Sequence, residues 1–271
     1  LYADPVPEAT DNCAYLDGVP NRTMVFVYGV GIPEVIVRSS RELTAVVRSV
    51  QATPIEKAEA CRELAVVGDR QAVDALASML GDANLAHMAR HALEPMPFAS
   101  VDAALRKAME RLRGPLLVGV INSAGVRRDT KAVPQLRSLL ENPDPEVQSA
   151  AAAALGRIGN EAAADVLQAS PGALGVRHGV AEACLECARQ LASEGRTGRA
   201  IALYQAVEAS EAPEHIGAAA FQGRVMALGP AASAELTRAI ADGSLRIMRA
   251  GLWVVSHGMK GSREVTVALA E

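Results

Sequence analysis

The chain has 271 residues, half of them hydrophobic but only 3% aromatic, so any core must be built from Ala, Leu, Val and Ile, which suit closely packed helices. Its 27 basic and 31 acidic residues are intermixed and leave a formal charge of -4, which gives no net attraction to phosphate backbones and argues against a nucleic-acid partner. Charged residues interrupt every apolar stretch well before the roughly 20 residues a bilayer-spanning helix needs, so no membrane insertion of this segment is expected.

Residues 1–38 differ from everything after them. They hold Pro5, Pro7, Pro20 and Pro33 and the β-branched and aromatic runs Met24 to Tyr28 and Val35 to Val37, separated by Gly29, Gly31 and Pro33. Such runs predict two short strands or an extended, β-like arm. The sequence opens at Leu1 without an initiator methionine and closes at Glu271 inside a predicted helix, the expectation for a fragment or a processed chain.

Helical patterning begins at Ser39. Ser39 with Glu42, and Thr53 with Glu56, place a cap residue three positions ahead of a Glu, and Pro54 sits where its missing N–H costs nothing. Two helices therefore start there. Breakers then recur at Gly68-Asp69, Gly81-Asp82, Pro95, Gly114-Pro115, Gly125, Pro143, Gly159 and Pro171, with segments of helix length between them.

Those segments repeat. Ala72-Val73-Asp74-Ala75-Leu76 aligns with Val101-Asp102-Ala103-Ala104-Leu105, with Ala132-Val133-Pro134-Gln135-Leu136 and with Ala162 to Leu167. The period of about 30 residues predicts a helical-repeat solenoid. Within one unit, Ala132, Val133, Leu136, Leu139 and Leu140 share a face, and Val147, Ala150, Ala151, Ala154, Leu155 and Ile158 share the facing one. Three regions follow: the arm 1–38, regular repeats over 39–170, and looser repeats over 171–271, where Arg199 to Tyr204, Ala218 to Phe221 and Ala227 to Gly229 look somewhat like a tetratricopeptide helix pair.

The stretch Val126-Arg127-Arg128-Asp129 through Leu140, with Pro143-Asp144-Pro145-Glu146-Val147 and Ala153-Ala154-Leu155-Gly156-Arg157-Ile158-Gly159, resembles the short bacterial HEAT repeats. The resemblance implies an all-α, right-handed α-solenoid of about 7 helix pairs. It also implies an Asp–Arg ladder between units, for which Asp129 and Arg157 are the matching positions.

Few residues point to chemistry. His87, His91 and Glu94 fall at i, i+4 and i+7 on one helical face, where two imidazoles and a carboxylate can converge on a metal. Met88, however, stands where a zinc-protease pattern needs Glu, and the reading adopted is a polar groove with no metal. Cys184 and Cys187 form a Cys-x-x-Cys without a second pair, inside an apolar stripe of Val176, Val180, Cys184, Cys187 and Leu191, so they read as core. With Cys13 and Cys61, the cysteines are too few and scattered for a disulfide framework, and they select no compartment. Gly29-Val30-Gly31 lacks a third Gly and a following helix, so no nucleotide loop is read, and no role is assigned to the glycosylation-like Asn21-Arg22-Thr23. No cofactor is expected. None of the five histidines is followed by Glu, unlike the iron-binding pairs of the similarly built deoxyhypusine hydroxylases, and Trp253 is the single Trp where HEAT-like DNA glycosylases need an aromatic, basic face.

The functional expectation is non-catalytic binding of a protein partner in a groove lined by the second helix of each pair. His87, Arg90, His91, Asn122, Gln148 and Arg157 are placed near that groove. Arg127 and Arg128 come from a basic cluster with Arg106, Lys107, Arg111, Arg113 and Lys131, which reads either as a ridge for an acidic partner or as an ordinary solvated face. The alternative is an accessory domain of a larger exported enzyme, or a lyase-like cofactor chaperone of the kind seen among HEAT-type phycobilin lyases.

Overall fold

The computed structural model describes residues 38–169 and 178–232, which form an all-α solenoid with no strand among them. Six helix pairs follow one another: α1 (Ser40–Arg48) and α2 (Pro54–Val67), α3 (Ala72–Ser78) and α4 (Ala86–Leu93), α5 (Ala99–Arg111) and α6 (Gly114–Val126), α7 (Val133–Leu139) and α8 (Pro145–Ile158), α9 (Glu161–Gln168) and α10 (His178–Ser193), α11 (Thr197–Glu208) and α12 (Glu214–Leu228). The expected arm, apart from Arg38, and the last part of the looser repeats, from 233 to 271, lie outside the described residues.

Local chemistry sets the helix starts. Ser39 and Thr53 each accept from the backbone N–H of the Glu three residues on, and Glu42 and Glu56 bond back to the cap N–H groups, closing two capping boxes. Those bonds favour the charged carboxylates: Glu42 is held below its ordinary pKa first by the Ser39 hydroxyl, Glu56 first by the Thr53 backbone N–H. Asp144 and Asn160 cap α8 and α9 in the same manner, with Pro145 in the first turn of α8. Helix α6 ends in a Schellman arrangement, Asp129 N–H to the Ala124 carbonyl and Arg128 N–H to Gly125, which puts Arg128 at a left-handed φ of 52°.

Packing follows the 30-residue period. Leu76, Leu105, Leu136 and Leu167 occupy the same place in successive first helices and are wholly buried. Each such burial stabilises the fold by roughly 1.5–3 kcal/mol. All six apolar residues expected on one face of α8 are buried, as are Ala132, Val133, Leu136 and Leu140 opposite, while Leu139 is half-buried against the same core. In the middle of the stack the second helices α6, α8 and α10 lie against one another far more closely than the first helices α7 and α9. Small residues permit this. A Cβ on Gly125 would stand 2.8 Å from Ala154 Cα, and one on Gly156 would stand 2.8 Å from the Ala183 carbonyl oxygen. Gly125, expected as a helix breaker, is therefore a helical residue near the end of α6, needed for close approach to α8.

Polar links between units depart from the expected ladder. Asp129 does not meet Arg157; it pairs with Arg106 of α5 while its other oxygen accepts the Lys131 N–H. Arg127 pairs with Asp102 at 2.5 Å, and further along Arg196 and Arg199 reach Glu161 and Asp165. Asp102 and Asp129 thus find their cations between α5 and the turn that follows α6, and Asp165 finds Arg199 between the first helices α9 and α11.

Candidate binding groove

Helix α8 borders two openings that share Ser149 and Ala153. The first, about 480 Å³, lies towards α6, with Val118, Asn122, Pro145, Glu146 and Ala150; the second, about 450 Å³, lies towards α10, with Arg157, Gly179, Glu182, Ala183, Glu186 and Arg189. They adjoin along Ser149 and Ala153, so their linings together span three second helices. Their floor is Ala and Gly, and their rim carries both signs of charge. The mixed rim is partly internally engaged, since Arg157 donates to the Asn122 amide oxygen at 3.2 Å and Arg189 pairs with Glu186 one turn away.

The expected partner-binding residues separate into two sets. His87 and His91 are exposed on α4, Asn122 is half-buried on α6, and Arg157 is exposed on α8. Arg90 is half-buried, its guanidinium filling the space beside Gly119, and burial lowers its pKa against the opposing pull of Glu94. Gln148 is turned to the Asn142 carbonyl at the mouth of its own helix. Arg127 and Arg128 are engaged within the fold. The Arg127 side chain is only 10% exposed and donates to the carbonyls of Glu94 and Met96 at 2.8 and 2.7 Å as well as to Asp102, closing the C-terminal end of α4. Arg128 reaches the Ile158 carbonyl at the end of α8 and Glu194 at 2.8 Å, and its bond holds Glu194 below the ordinary carboxylate range.

The basic cluster dissolves for the same reason. Arg106 and Arg127 are neutralised by aspartates, and Arg113 turns to the Glu110 and Leu112 carbonyls, leaving Lys107, Arg111 and Lys131 exposed among acidic neighbours. No basic ridge results. Glu94 accepts from Ser123 Oγ at 2.7 Å across the α4–α6 contact rather than facing His87 and His91, and among the described residues no three His, Cys, Asp or Glu side chains gather to hold a metal. Cys184 and Cys187 sit in the α10 core, where burial pushes each thiol up to about 12, and burial raises Cys61 to about 11. Such thiols are weak nucleophiles. Val176 of that stripe lies outside the described residues.

Ser149, Ala153, Glu182 and Glu186 line the groove but were not singled out from the sequence. An Ala-rich helix shows one apolar stripe clearly and hides the small residues it turns to solvent.

A family profile for HEAT repeats matches residues 104–186, the stretch from α5 to α10 that builds the groove. Residues 104–186 therefore carry HEAT-type repeats. HEAT repeats are helical modules of the protein-interaction type, typically non-catalytic. No curated protein matches the chain. Among solved structures, it is similar at 20% identity and a TM-score of 0.35 to a chain of the complex of CpcE and CpcF of phycocyanin lyase from Nostoc sp. PCC7120, over 92% of this chain and 97% of that one. No helix among the described residues is long and apolar enough to cross a membrane.

Proposed function

We propose that this protein is a non-catalytic binding module that holds a helical or extended segment of a protein partner along α8. The observation that carries the reading is the pair of openings that adjoin at Ser149 and Ala153, floored by small residues and rimmed by Asn122, Arg157 and Glu182. Its place in the stack supports it. Where second helices approach more closely than first helices, successive pairs tilt towards the second-helix side, so α6, α8 and α10 face inwards on the curve. A floor of Ala and Gly lets a partner backbone come close, and a rim of both charges selects register more than it adds affinity.

A photo-crosslinking amino acid at Ser149, with one at exposed Lys107 of α5 as control, tests the reading. The expected result is a single protein captured from Ser149 and not from Lys107, with capture lost in Ala153→Arg while the helical circular dichroism is unchanged. Equal capture from both positions, or capture indifferent to Ala153→Arg, would refute it.

A further inference from the structure

We propose that the outer face of α1 is a carboxylate-binding site and that its occupant is the acidic N-terminal segment of the same chain, residues 1–37. An opening of about 450 Å³ is lined by Arg41, Thr44, Ala45, Arg48, Ser49 and Gln71. The first four stand at i, i+3, i+4 and i+7, so one stripe of α1 presents two guanidinium groups about two turns apart with a hydroxyl between them.

Three observations point to an anionic ligand. Arg41 has no ion pair or hydrogen bond among the described residues, and Arg48 has only a long contact, 3.5 Å, with the Gln71 carbonyl. Among the described residues no carboxylate lines the opening: nearby Glu42 is bonded back to Ser39, and Asp69 accepts from the Gln71 and Ala72 N–H groups. Thr44 is 5% exposed, and its hydroxyl oxygen is buried without any hydrogen-bond partner. An orphaned hydroxyl under two unpaired arginines is a donor set awaiting an acceptor.

Charge identifies the occupant. Residues 1–37 carry Asp4, Glu8, Asp11, Asp17 and Glu34 against the single cation Arg22, a net -4 that equals the formal charge of the entire chain. The segment joins the fold at Arg38, three residues before Arg41. From Asp17 to Arg38 the chain can span roughly 3.3–3.6 Å per residue, more than enough to return along α1. This site is on the first helix of the first pair, away from the groove along α8, so it stands or falls independently of the binding function proposed above.

The test uses the full chain carrying Arg41→Lys and Arg48→Lys, treated with a carbodiimide that joins amines to carboxylates in contact, followed by peptide mass spectrometry. The expected links run from positions 41 or 48 to Asp4, Glu8, Asp11 or Asp17 in the monomeric band, and they fall several-fold at about 1 M salt, where screening acts within roughly 3 Å. A second variant, Arg41→Glu with Arg48→Glu, should raise the reaction rate of Cys13 with a thiol reagent several-fold, since Cys61, Cys184 and Cys187 are buried and silent. Absence of those links, links confined to a dimeric band, or an unchanged Cys13 rate would each overturn the proposal.

Discussion

Replacing Gly156 by Ala isolates the close approach on which the stack depends. In an exposed helix interior Gly→Ala gains about 1 kcal/mol. Here the added Cβ would meet the Ala183 carbonyl oxygen at 2.8 Å, Ala183 Cα at 2.9 Å and Ala183 Cβ at 3.2 Å. Two of those atoms are backbone, so α10 has to move, and α8 has little room the other way because Gly125 of α6 packs so close to Ala154 that even a Cβ there would stand 2.8 Å away. Overpacking of this kind costs typically 1–3 kcal/mol, and with the propensity gain subtracted the expected net destabilisation is about 1–2 kcal/mol. Gly217→Ala in α12 supplies the control, since a Cβ there meets nothing within 4 Å, and it should stabilise by up to about 1 kcal/mol. Urea titration followed by far-ultraviolet circular dichroism compares the two. The reasoning fails if Gly156→Ala is as stable as the parent chain, or if Ala183→Gly restores stability fully, because that would move the clash from backbone to the Ala183 methyl group.

Two further outcomes follow from the polar and thiol groups. Arg127→Met should destabilise by about 2–4 kcal/mol, because Asp102 loses its cation and the Glu94 and Met96 carbonyls lose their donor, whereas Arg157→Met at the exposed groove rim should change stability by no more than about 0.5 kcal/mol; equal effects in thermal melts would contradict the assignment of Arg127 to structure. The buried thiols impose an alkaline limit: their folded pKa values are raised to about 11 for Cys61 and about 12 for Cys184 and Cys187, so the stability they contribute is complete below the unfolded thiol pKa and declines as pH rises towards the folded values. Above about pH 8.5 each unfolded thiol ionises first, and stability should fall by up to about 1.4 kcal/mol per pH unit per thiol. Cys184→Ala should make that fall shallower, and an unchanged slope would refute the cause.

What was legible in the sequence was what neighbours in sequence decide. The capping boxes at Ser39 and Thr53 span three residues, and the apolar stripes of α7 and α8 span a few turns, so propensity and periodicity reach both. The polar partners were not legible because they lie a repeat away. Asp129 finds Arg106 instead of Arg157, and Arg127 closes the end of α4, through contacts 23 to 33 residues apart that no local pattern specifies. Glycine was ambiguous for the same reason. Gly159, at a φ of 63°, does end α8, but Gly125 is kept for the space it leaves to Ala154.

The composition that looked least informative links the fold to the groove. A chain with 3% aromatics and an Ala-rich α8 cannot fill the space between second helices with large side chains, so those helices close until Gly125 meets Ala154 and Gly156 meets Ala183. Towards solvent the same shortage leaves half-buried Ala153 and Gly179 as a shallow floor, with buried Ala150 and Ala183 at its inner edge. Burying the inner small residues brings the second helices together, and that closeness sets Ala153 and Gly179 side by side in the proposed track. Substituting Ala153 therefore perturbs the proposed track alone, whereas substituting Gly156 perturbs the spacing that creates it, and the two variants distinguish loss of a binding surface from loss of the architecture beneath it.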